Sequence, residues 1–357
     1  MHDLNRALDK AAAGDRLDRN DALSMLHQAD LLTLGELADA RRRALNPDPV
    51  VTFVVDRNIN YTNICMSGCR FCAFFRGVNH PDGYVISEAD LHQKIQETID
   101  LGGTQILLQG GIHPELGLDY YTGLLEFIHA HFDIHVHGFS PPEIAFLARK
   151  EKLTPEDTLR ALIDAGLNSI PGGGAEILVD AVRQQVSPNK ATAEEWLAVM
   201  RTAHRLGLRS SATMMFGHVE QPEDIIRHLM RIRELQDETG GFTAFIPWTF
   251  QPDNTRLPAV KRTAAEYLRV LALSRIVLDN VDHLQASWVT QGDKIAQVAL
   301  AFGADDLGST MIEENVVAAA GVTFRLPQSE MERLIQDAGY RAVQRDCFYN
   351  RLKEVFL

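Results

Sequence analysis

The amino-acid sequence predicts an α/β protein whose core is a parallel (β/α)8 barrel of the TIM type. Three observations support this prediction. The chain has 357 residues, of which 45% are hydrophobic, and this length suits one large α/β barrel or two ordinary domains. Short β-like runs alternate with longer amphipathic helical patterns eight times, which is typical of a parallel barrel. Glycine-rich and polar motifs follow most of these runs, at the strand ends where barrels build their active sites.

This pattern divides the chain into three regions. Residues 1–48 are predicted to form a helical leader, because Leu and Ala recur at helical spacing until the segment NPDP interrupts them. Residues 49–310 form the barrel, and residues 311–357 form a C-terminal helical extension packed on it. The predicted strands are 51–56, 104–109, 133–139, 167–172, 210–217, 243–248, 283–288 and the weak run 305–309. Because alternation alone does not close a barrel, a doubly wound open sheet and a barrel of six or seven units are the alternatives.

Composition and charge exclude several classes of protein. A formal net charge of -13 disfavours nucleic-acid binding and docking on anionic membranes, which both depend on Lys and Arg. The first residues are charged and lack the apolar stretch of a secretory signal, and no run of about 18 apolar residues predicts a membrane span. Four cysteines, three of them in one loop, do not form a disulfide framework. We therefore expect a cytoplasmic protein with reduced cysteines, among which Cys347 is a small packed residue.

The loop YTNICMSGCRFCAFFR, residues 61–76, carries the other three cysteines in the spacing C-x3-C-x2-C. Thiolates of Cys65, Cys69 and Cys72 suit three corners of a 4Fe–4S cluster, because cluster irons prefer soft ligands. The fourth iron would then stay open to a ligand. The alternatives are a structural zinc site, for which His80 is the nearest fourth ligand, and unliganded cysteines.

These residues resemble the radical S-adenosylmethionine (SAM) enzymes. The cysteine spacing directly after the first strand fits that family, as does the aromatic Phe71 before the third cysteine. The stretches NINYTNIC, QGGIHPEL, HGFSPPEI, SIPGGGAEIL and GSTMIEENV extend the resemblance over almost the whole chain. They are similar to the branch that acts on futalosine derivatives in menaquinone biosynthesis. Within it, IPWTFQPDNT and QASWVTQG favour the cyclase of dehypoxanthinyl futalosine over aminofutalosine synthase and the deazaflavin-forming FO synthase subunits.

The resemblance implies a specific chemistry. The open iron of the cluster binds the amino and carboxylate groups of SAM. An electron from a donor such as a flavodoxin or a ferredoxin then breaks the sulfonium bond, which yields methionine and a 5′-deoxyadenosyl radical. In the cyclase this radical removes the 4′ hydrogen of the substrate ribose. The resulting carbon radical closes a spiro ring onto the benzoate ring, and loss of a proton and an electron restores aromaticity.

The resemblance also places SAM near the end of the second strand. Gln109, Gly110 and Gly111 are expected to bind its amino acid portion, because glycines let a backbone approach a ligand closely. A simple strand-to-loop turn is the alternative. His113 follows as a substrate contact or as a packed loop residue.

The motif after the fourth strand is expected to bind SAM as well. Gly173 and Gly174 expose backbone N–H groups that can hold a carboxylate, and Glu176 resembles the family acid that meets the ammonium group of SAM. A helix-start acid is the alternative for Glu176. Arg183 or Lys190 could pair with the methionine carboxylate, or could be a surface charge.

Two histidines and a helix start follow in the third unit. His135 and His137 alternate on the third strand and therefore share one face. We expect His135 to be a satisfied core residue and His137 to be catalytic. Ser140 is expected to hold the SAM ribose and Glu143 to act on the substrate, although SPPE also suits helix capping.

The last strand ends supply candidates for the substrate. Trp248, Trp288 and Gln291 could wall the benzoate-bearing substrate, while packing is the other role of a Trp at a barrel rim. The final deprotonation needs a base, for which Glu313 is the choice beside its neighbour Glu314. Two further functions remain open: a metal-dependent barrel hydrolase that uses the H-x-H pair, with a structural zinc at the cysteines, and a noncatalytic electron carrier.

Overall fold

A computed structural model describes residues 2–355 of the chain. Those residues contain the strands β1 (Val50–Val54), β2 (Asp56–Asn60), β3 (Gln105–Gln109), β4 (His135–Gly138), β5 (Ser169–Ile170), β6 (Arg209–Phe216), β7 (Phe242–Thr249), β8 (His283–Leu284), β9 (Asp306–Ser309), β10 (Arg341–Arg345) and β11 (Arg351–Val355). A seven-stranded sheet has the order β2-β3-β4-β5-β6-β7-β8, and its neighbouring strands are parallel. A second sheet has the order β11-β10-β1-β9.

Helices lie between the strands and cover the outside of the sheet. They are α1 (His2–Ala13), α2 (Arg19–Gln28), α3 (Leu31–Leu45), α4 (Glu88–Asp100), α5 (Leu118–His131), α6 (Pro141–Glu151), α7 (Pro155–Asp164), α8 (Asp180–Val186), α9 (Ala193–Arg205), α10 (Pro222–Thr239), α11 (Ala264–Val277), α12 (Trp288–Gln291), α13 (Asp293–Ala299) and α14 (Gln328–Asp337). Two short 3-10 helices cover Leu300–Phe302 and Ala318–Ala320. Within the described residues no helix is both long and apolar enough to cross a membrane.

The helical leader has the predicted structure. Asp18 and Asp30 cap the first turns of α2 and α3 by accepting hydrogen bonds from backbone N–H groups. α2 and α3 pack against α11 on the outside of the barrel. Arg16, between α1 and α2, binds Asp237 at 2.6 Å and Asp279 at 2.7 Å, which ties the leader to the helices that follow β6 and β7.

Each of the eight predicted runs contains a strand, and the TIM-like parallel architecture is confirmed. β9 connects the two edges of the curled sheet. On one side it pairs with β1, which continues directly into β2. On the other side Gln285, just after β8, forms a parallel bridge with Asp306. The eighth position of the barrel is therefore a short strand that also belongs to the second sheet.

Alternation along β2 and β3 places polar groups inside the barrel. The register pairs Asp56 with Gln105, and Asn58 with Leu107, and all four side chains line the interior. The intervening hydrophobic residues, such as Ile106, are buried on the opposite face toward the helices. The exception on the outer face is Arg57 of β2, which donates to Glu97 at 2.8 Å and to the Lys94 backbone oxygen at 3.0 Å on α4.

The C-terminal region differs from its prediction. Residues 311–357 were expected to be helical, but β10 and β11 form an antiparallel pair, and β10 lies parallel to β1 from Val50 opposite Arg341 to Phe53 opposite Gln344. The prediction is wrong at these strands. β10 pairs with β1, which is distant in the sequence, and a pairing of that kind leaves no pattern in a local stretch of sequence. The boundaries of the three regions stay predictions.

The turn between β10 and β11 closes one end of the barrel. Arg345 binds Asp306 with Nε at 2.6 Å from Oδ2. The ring of Tyr349 stacks on His283 with the centroids 3.7 Å apart, and the Arg345 guanidinium lies 3.9 Å from the Tyr349 ring centroid. The strands β4 and β8 begin at this end, so the opposite end carries the loops expected to form the site.

Candidate active site

A cavity of about 300 Å³ occupies the barrel interior, from the loops at the carboxyl ends of the strands down to the turn after β10. Its lining combines polar and charged side chains on the strands with aromatic and aliphatic groups near the last loops. The polar lining comprises Asp56, Asn58, Gln105, Gln109, His137, Glu176, Ser211, Thr213, Thr243, Gln285, Ser287, Thr290, Ser309, Glu314, Arg345, Cys347 and Tyr349, and the apolar lining includes Leu107, Ile246, Trp248, Trp288, Met311 and Val317.

The three-cysteine loop follows β2 at the active-site end of the barrel. Cys65, Cys69 and Cys72 are free thiols. The N–H of Ile112 donates to Cys65 Sγ at 3.3 Å, and Arg256 donates to the backbone oxygen of Cys69 at 3.2 Å. Burial raises the pKa of Cys69 to about 12 and also raises the pKa of Cys72. Buried thiols of high pKa need a positively charged partner to ionise, and an iron–sulfur cluster supplies one.

The loop fits a cluster better than a single ion. Among residues 2–355 no three His, Cys, Asp or Glu side chains converge closely enough to hold one metal ion. A 4Fe–4S cluster places each thiolate on a different iron, so its ligands do not meet at one point. His80, the candidate fourth zinc ligand, is exposed and accepts a hydrogen bond from the N–H of Asp82 at 3.1 Å.

The glycines after β3 allow close packing of the chain against itself. A Cβ on Gly110 would lie 2.5 Å from the Tyr61 ring, and a Cβ on Gly111 would lie 2.2 Å from the backbone oxygen of Ile64. These glycines therefore seat the cysteine loop against the second strand. Gln109 lines the cavity, where its amide lies so close to Gly173 that a Cβ there would be 2.5 Å from Gln109 Nε2.

Glu176 and two cations form a buried cluster beside the cysteines. Glu176 Oε1 accepts a hydrogen bond from Lys190 Nζ at 2.9 Å, and Oε2 lies 3.3 Å from Arg183. Burial by itself would raise the pKa of Glu176, but Lys190 and Arg183 outweigh burial and hold the pKa below its ordinary value. The Lys190 ammonium also lies 5.5 Å from the Phe71 ring centroid, which places Phe71 beside the same cluster.

Arg183 is hydrogen-bonded within the glycine-rich loop. Its guanidinium donates to the backbone oxygens of Gly174, Ala175 and Ala191, at 3.1, 2.6 and 2.9 Å respectively. These bonds occupy it within the glycine-rich loop, so Arg183 shapes that loop and Lys190 is the cation nearer the cysteines.

Ser140 and Glu143 form a capping box at the start of α6. Glu143 accepts hydrogen bonds from Tyr61 Oη at 2.5 Å, from Gly110 N at 3.2 Å and from Ser140 N at 2.7 Å. Neither Ser140 nor Glu143 is among the residues that line the cavity. The expected catalytic role of Glu143 therefore lacks a geometric basis, and this carboxyl instead ties Gly110 to α6.

His137 lies deeper than predicted. Its Nδ1 and the Nε2 of His135 each lie 2.7 Å from Ser169 Oγ. Burial lowers the pKa of His137 to about 3 and that of His135 to about 4, so both are neutral at physiological pH. His137 lines the cavity near the closed end, beside Cys347.

The two tryptophans line the cavity, and the other two substrate candidates do not. Trp248 is half-buried, while Trp288 is buried and donates from Nε1 to the Ser309 backbone oxygen at 2.9 Å. Gln291 donates to Thr249 Oγ1 at 2.6 Å. His113 is buried in the loop after β3, where its Nδ1 accepts from Glu115 N at 3.1 Å, which matches the packing alternative.

Glu313 and Glu314 point in different directions. Glu313 binds Lys94 Nζ at 2.5 Å and Asn315 Nδ2 at 2.8 Å, away from the cavity. Glu314 lines the cavity, but its carboxylate accepts hydrogen bonds from the N–H groups of Val316, Val317 and Ala318. Glu313 thus lies outside the cavity, and backbone N–H groups hold the Glu314 carboxylate.

Sequence reasoning missed most of the cavity wall. Asp56, Asn58, Gln105 and Gln285 line the cavity, although none was singled out. Their signal was present: polar residues occupy alternate positions of DRNIN, at 56–60, which is the pattern of a strand with one polar face. Cys347, expected to be only a packed residue, also lines the cavity.

A TIM-like barrel with C-x3-C-x2-C after its first strand and a glycine-rich rim defines a radical SAM enzyme. Residues 59–232 match the radical SAM superfamily, and residues 239–355 match the CofH/MqnC C-terminal region. The chain belongs to the radical SAM superfamily and carries the CofH/MqnC C-terminal region. Members of this superfamily use a 4Fe–4S cluster and SAM, and Cys65, Cys69 and Cys72 are the thiols that fit the cluster.

Two relatives within this superfamily are cyclic dehypoxanthine futalosine synthases. The chain is 44% identical to that of Halalkalibacterium halodurans, with 98% of this chain and 95% of the relative covered. It is 42% identical to that of Streptomyces coelicolor, with 98% and 89% covered. It is also 40% identical to a 5-amino-6-(D-ribitylamino)uracil–L-tyrosine 4-hydroxyphenyl transferase of Methanopyrus kandleri, with 98% and 94% covered. The chain is thus similar over almost its whole length both to futalosine synthases and to a tyrosine-dependent transferase.

Solved structures support the fold. Methylornithine synthase (PylB) superimposes with a TM-score of 0.73 at 17% identity and covers 94% of this chain and 96% of its own. The FeFe-hydrogenase maturase HydG of Carboxydothermus hydrogenoformans superimposes with a TM-score of 0.74 at 14% identity, over 98% of this chain and 81% of its own. At these identities the similarity concerns the fold alone.

Proposed function

We propose that the protein is a radical SAM cyclase that converts dehypoxanthinyl futalosine into cyclic dehypoxanthinyl futalosine in menaquinone biosynthesis. The observation that carries this proposal is the similarity to two cyclic dehypoxanthine futalosine synthases over 98% of the chain. The cavity in the barrel interior supports it, because Glu176 lines that cavity and its partner Lys190 lies over the Phe71 ring of the cysteine loop. A cytoplasmic location and a flavodoxin or ferredoxin as electron donor are parts of the same proposal.

In this proposal the cofactor lies between the cysteine loop and the glycine-rich turn. When bound, the cluster and SAM supply the 5′-deoxyadenosyl radical that abstracts the ribose 4′ hydrogen. Gln109, Gly173 and Gly174 border the cavity at this end. Each oxygen of Glu176 meets one cation, which leaves lone pairs to accept hydrogen bonds from the ammonium group of SAM.

The substrate occupies the interior below the cofactor. Trp248 and Trp288 offer apolar faces to its benzoate ring. Asp56 is a buried carboxyl on the cavity wall, and burial raises its pKa, which makes an ionised Asp56 a stronger proton acceptor than an exposed carboxylate.

The transferase relative provides a second candidate function. Identity of 40% over 98% of the chain is close to the identity with the cyclases, so the reaction of that relative must be tested alongside. In the proposed cyclase reaction a single substrate forms a new ring within itself. The name of the transferase relative instead describes the transfer of a 4-hydroxyphenyl group from tyrosine. The two functions are therefore distinguished by which substrate is consumed.

The proposed function is tested by product analysis under anaerobic conditions. The protein is reconstituted with iron and sulfide, given SAM and a reductant, and offered either dehypoxanthinyl futalosine or tyrosine with 5-amino-6-ribitylaminouracil. We expect 5′-deoxyadenosine together with a futalosine product lighter by a pair of hydrogens. Consumption of tyrosine and an untouched futalosine substrate would instead establish the transferase.

The chain offers a matched control for the cluster. Cys72→Ser should lose the iron and the visible absorbance of the cluster. Cys347→Ser, at the closed end of the barrel, should retain both. Equal iron content in the two variants would contradict the assignment of the cysteine loop.

A further inference from the structure

The closed end of the cavity forms a polar pocket that the cofactor chemistry does not use. We call the side chains Asp56, Gln105, Gln285 and Cys347 the floor subsite. Asp56 and Gln105 are partners in the register of β2 and β3, and all four residues line the cavity. The turn after β10 supplies Cys347 and seals this end, so a ligand reaches the floor subsite only through the interior.

Gln105 carries an unsatisfied acceptor in the floor subsite. The residue is 4% exposed. Its Nε2 donates to Asp56 Oδ2 at 2.8 Å, while Oε1 is buried without a hydrogen-bond partner among the described residues. Buried side-chain oxygens are nearly always paired. Because Gln105 lines the cavity, the missing donor is expected from a ligand.

The charges around the floor subsite exclude an anionic ligand group. Arg345 is the arginine of the cavity wall, but its Nε and Nη2 bind Asp306 at 2.6 and 2.9 Å, and its Nη1 donates to the Asp346 backbone oxygen at 3.0 Å. The charge of Arg345 is therefore already paired with Asp306 and is not free for a ligand carboxylate. Asp56 would repel an anion when ionised.

An apolar group would leave Gln105 Oε1 unpaired, which is costly in a buried site. A hydroxyl group satisfies the pocket in either orientation of the Gln105 amide, because it both donates and accepts. It can donate to Oε1 once the Gln105 amide turns toward the cavity, because Oε1 is fully buried in this rotamer. If protonated Asp56 reverses the amide, the same hydroxyl can accept from Nε2.

We propose that the floor subsite binds the hydroxyl-bearing sugar portion of the substrate, with Gln105 accepting a hydrogen bond from a ring hydroxyl. This inference rests on the proposed function, since it places the ribose of the futalosine substrate. The hydroxyl edge of the ribose then faces the closed end, and the aromatic end of the substrate faces Trp248 and Trp288. Gln105 is thus a specificity-determining residue that acts in binding.

This inference is tested on the reconstituted enzyme by combining an enzyme variant with modified substrates, as in a double-mutant cycle. Initial rates give kcat/KM for wild type and Gln105→Leu with dehypoxanthinyl futalosine and with analogues that lack one ring hydroxyl each. We expect Gln105→Leu to lose roughly 10- to 100-fold in kcat/KM, as for a buried hydrogen bond. With the wild-type enzyme, kcat/KM should be lower by a similar factor for one deoxy analogue than for the parent substrate. With Gln105→Leu, kcat/KM for that analogue and for the parent substrate should be almost equal. Losses that multiply for every analogue overturn the inference.

Controls separate binding from structural damage. Gln96→Leu removes an exposed amide on α4 that binds only Asp100 within the same helix, and it should match wild type with every substrate. Gln105→Met keeps the length of the side chain and repeats the test if the leucine variant does not fold. If neither variant folds, the inference is tested with the wild-type enzyme alone. Equal kcat/KM for the parent substrate and all deoxy analogues overturns the inference, and a lower kcat/KM for one analogue supports it. Failure of wild type to convert the parent substrate instead refutes the proposed function.

Discussion

Replacing Glu176 with glutamine tests the buried charge cluster beside the cysteines. Glu176→Gln keeps the shape of the side chain but removes the negative charge that faces Lys190 and Arg183. Removing one partner of a buried ion pair costs about 3–5 kcal/mol. The lower end applies here, because Arg183 keeps three backbone oxygens and the Lys190 side chain is 15% exposed. We expect a loss of about 3 kcal/mol in the free energy of unfolding.

Anaerobic urea unfolding of the cluster-free protein, followed by circular dichroism, measures this loss. In the double variant Glu176→Gln/Lys190→Met the unpaired ammonium is gone, so it should recover about 1–2 kcal/mol of the single-variant loss. Glu156→Gln is the matched control, since Glu156 pairs with Arg160 on an exposed helix face and should change stability by less than about 1 kcal/mol. A Glu176→Gln protein as stable as the control variant would refute the reasoning.

Three further perturbations test other parts of the structure. Gly111→Ala should lower the iron content after reconstitution, because its Cβ would lie 2.2 Å from the Ile64 oxygen. The control Gly123→Ala should keep the wild-type iron content, because its Cβ would meet nothing within 4 Å. Equal iron content in the two variants would contradict this prediction. Burial lowers the pKa of His204 from 6.5 to about 4. As the pH drops from 6.5 toward 4, the unfolded chain therefore binds a proton at His204 before the folded protein does, and the free energy of unfolding falls by up to about 1.4 kcal/mol per pH unit. His204→Gln should flatten this pH dependence in urea melts, and an unchanged slope would count against it. Arg345→Met leaves the buried carboxylate of Asp306 without its cation, although Thr52 and Gly308 still donate to it, and should cost about 3 kcal/mol in the same melts. A loss below about 1 kcal/mol would be inconsistent with that ion pair.

Local patterns predicted the strands of the barrel well. Each predicted run contains a strand because a parallel strand must be apolar on its helix-facing side, and this requirement is visible in the sequence. The pattern did not place β10, whose partner β1 lies almost three hundred residues earlier. A pairing that depends on a distant edge leaves no signal in a local window, and the floor of the cavity was therefore unforeseen.

The candidate site shows the same limit. Spacing and residue type identified the cysteine loop, since three thiols within eight positions have few other uses. Whether Glu143 and Glu313 face the cavity depends on side-chain direction, and the structure turns both away, toward Gly110 and Lys94. Sequence reasoning finds the chemistry of a loop more readily than the direction of a single carboxyl.

The proposed cyclase reaction is tested most directly by following the hydrogen atom at the ribose 4′ carbon. The reconstituted enzyme is given dehypoxanthinyl futalosine that carries deuterium at the ribose 4′ carbon, with SAM and a reductant, and the products are analysed by mass spectrometry. The proposed cyclase reaction places the deuterium in 5′-deoxyadenosine and leaves the cyclised product without it. Unlabelled 5′-deoxyadenosine beside a substrate that keeps its deuterium would contradict the proposed cyclase.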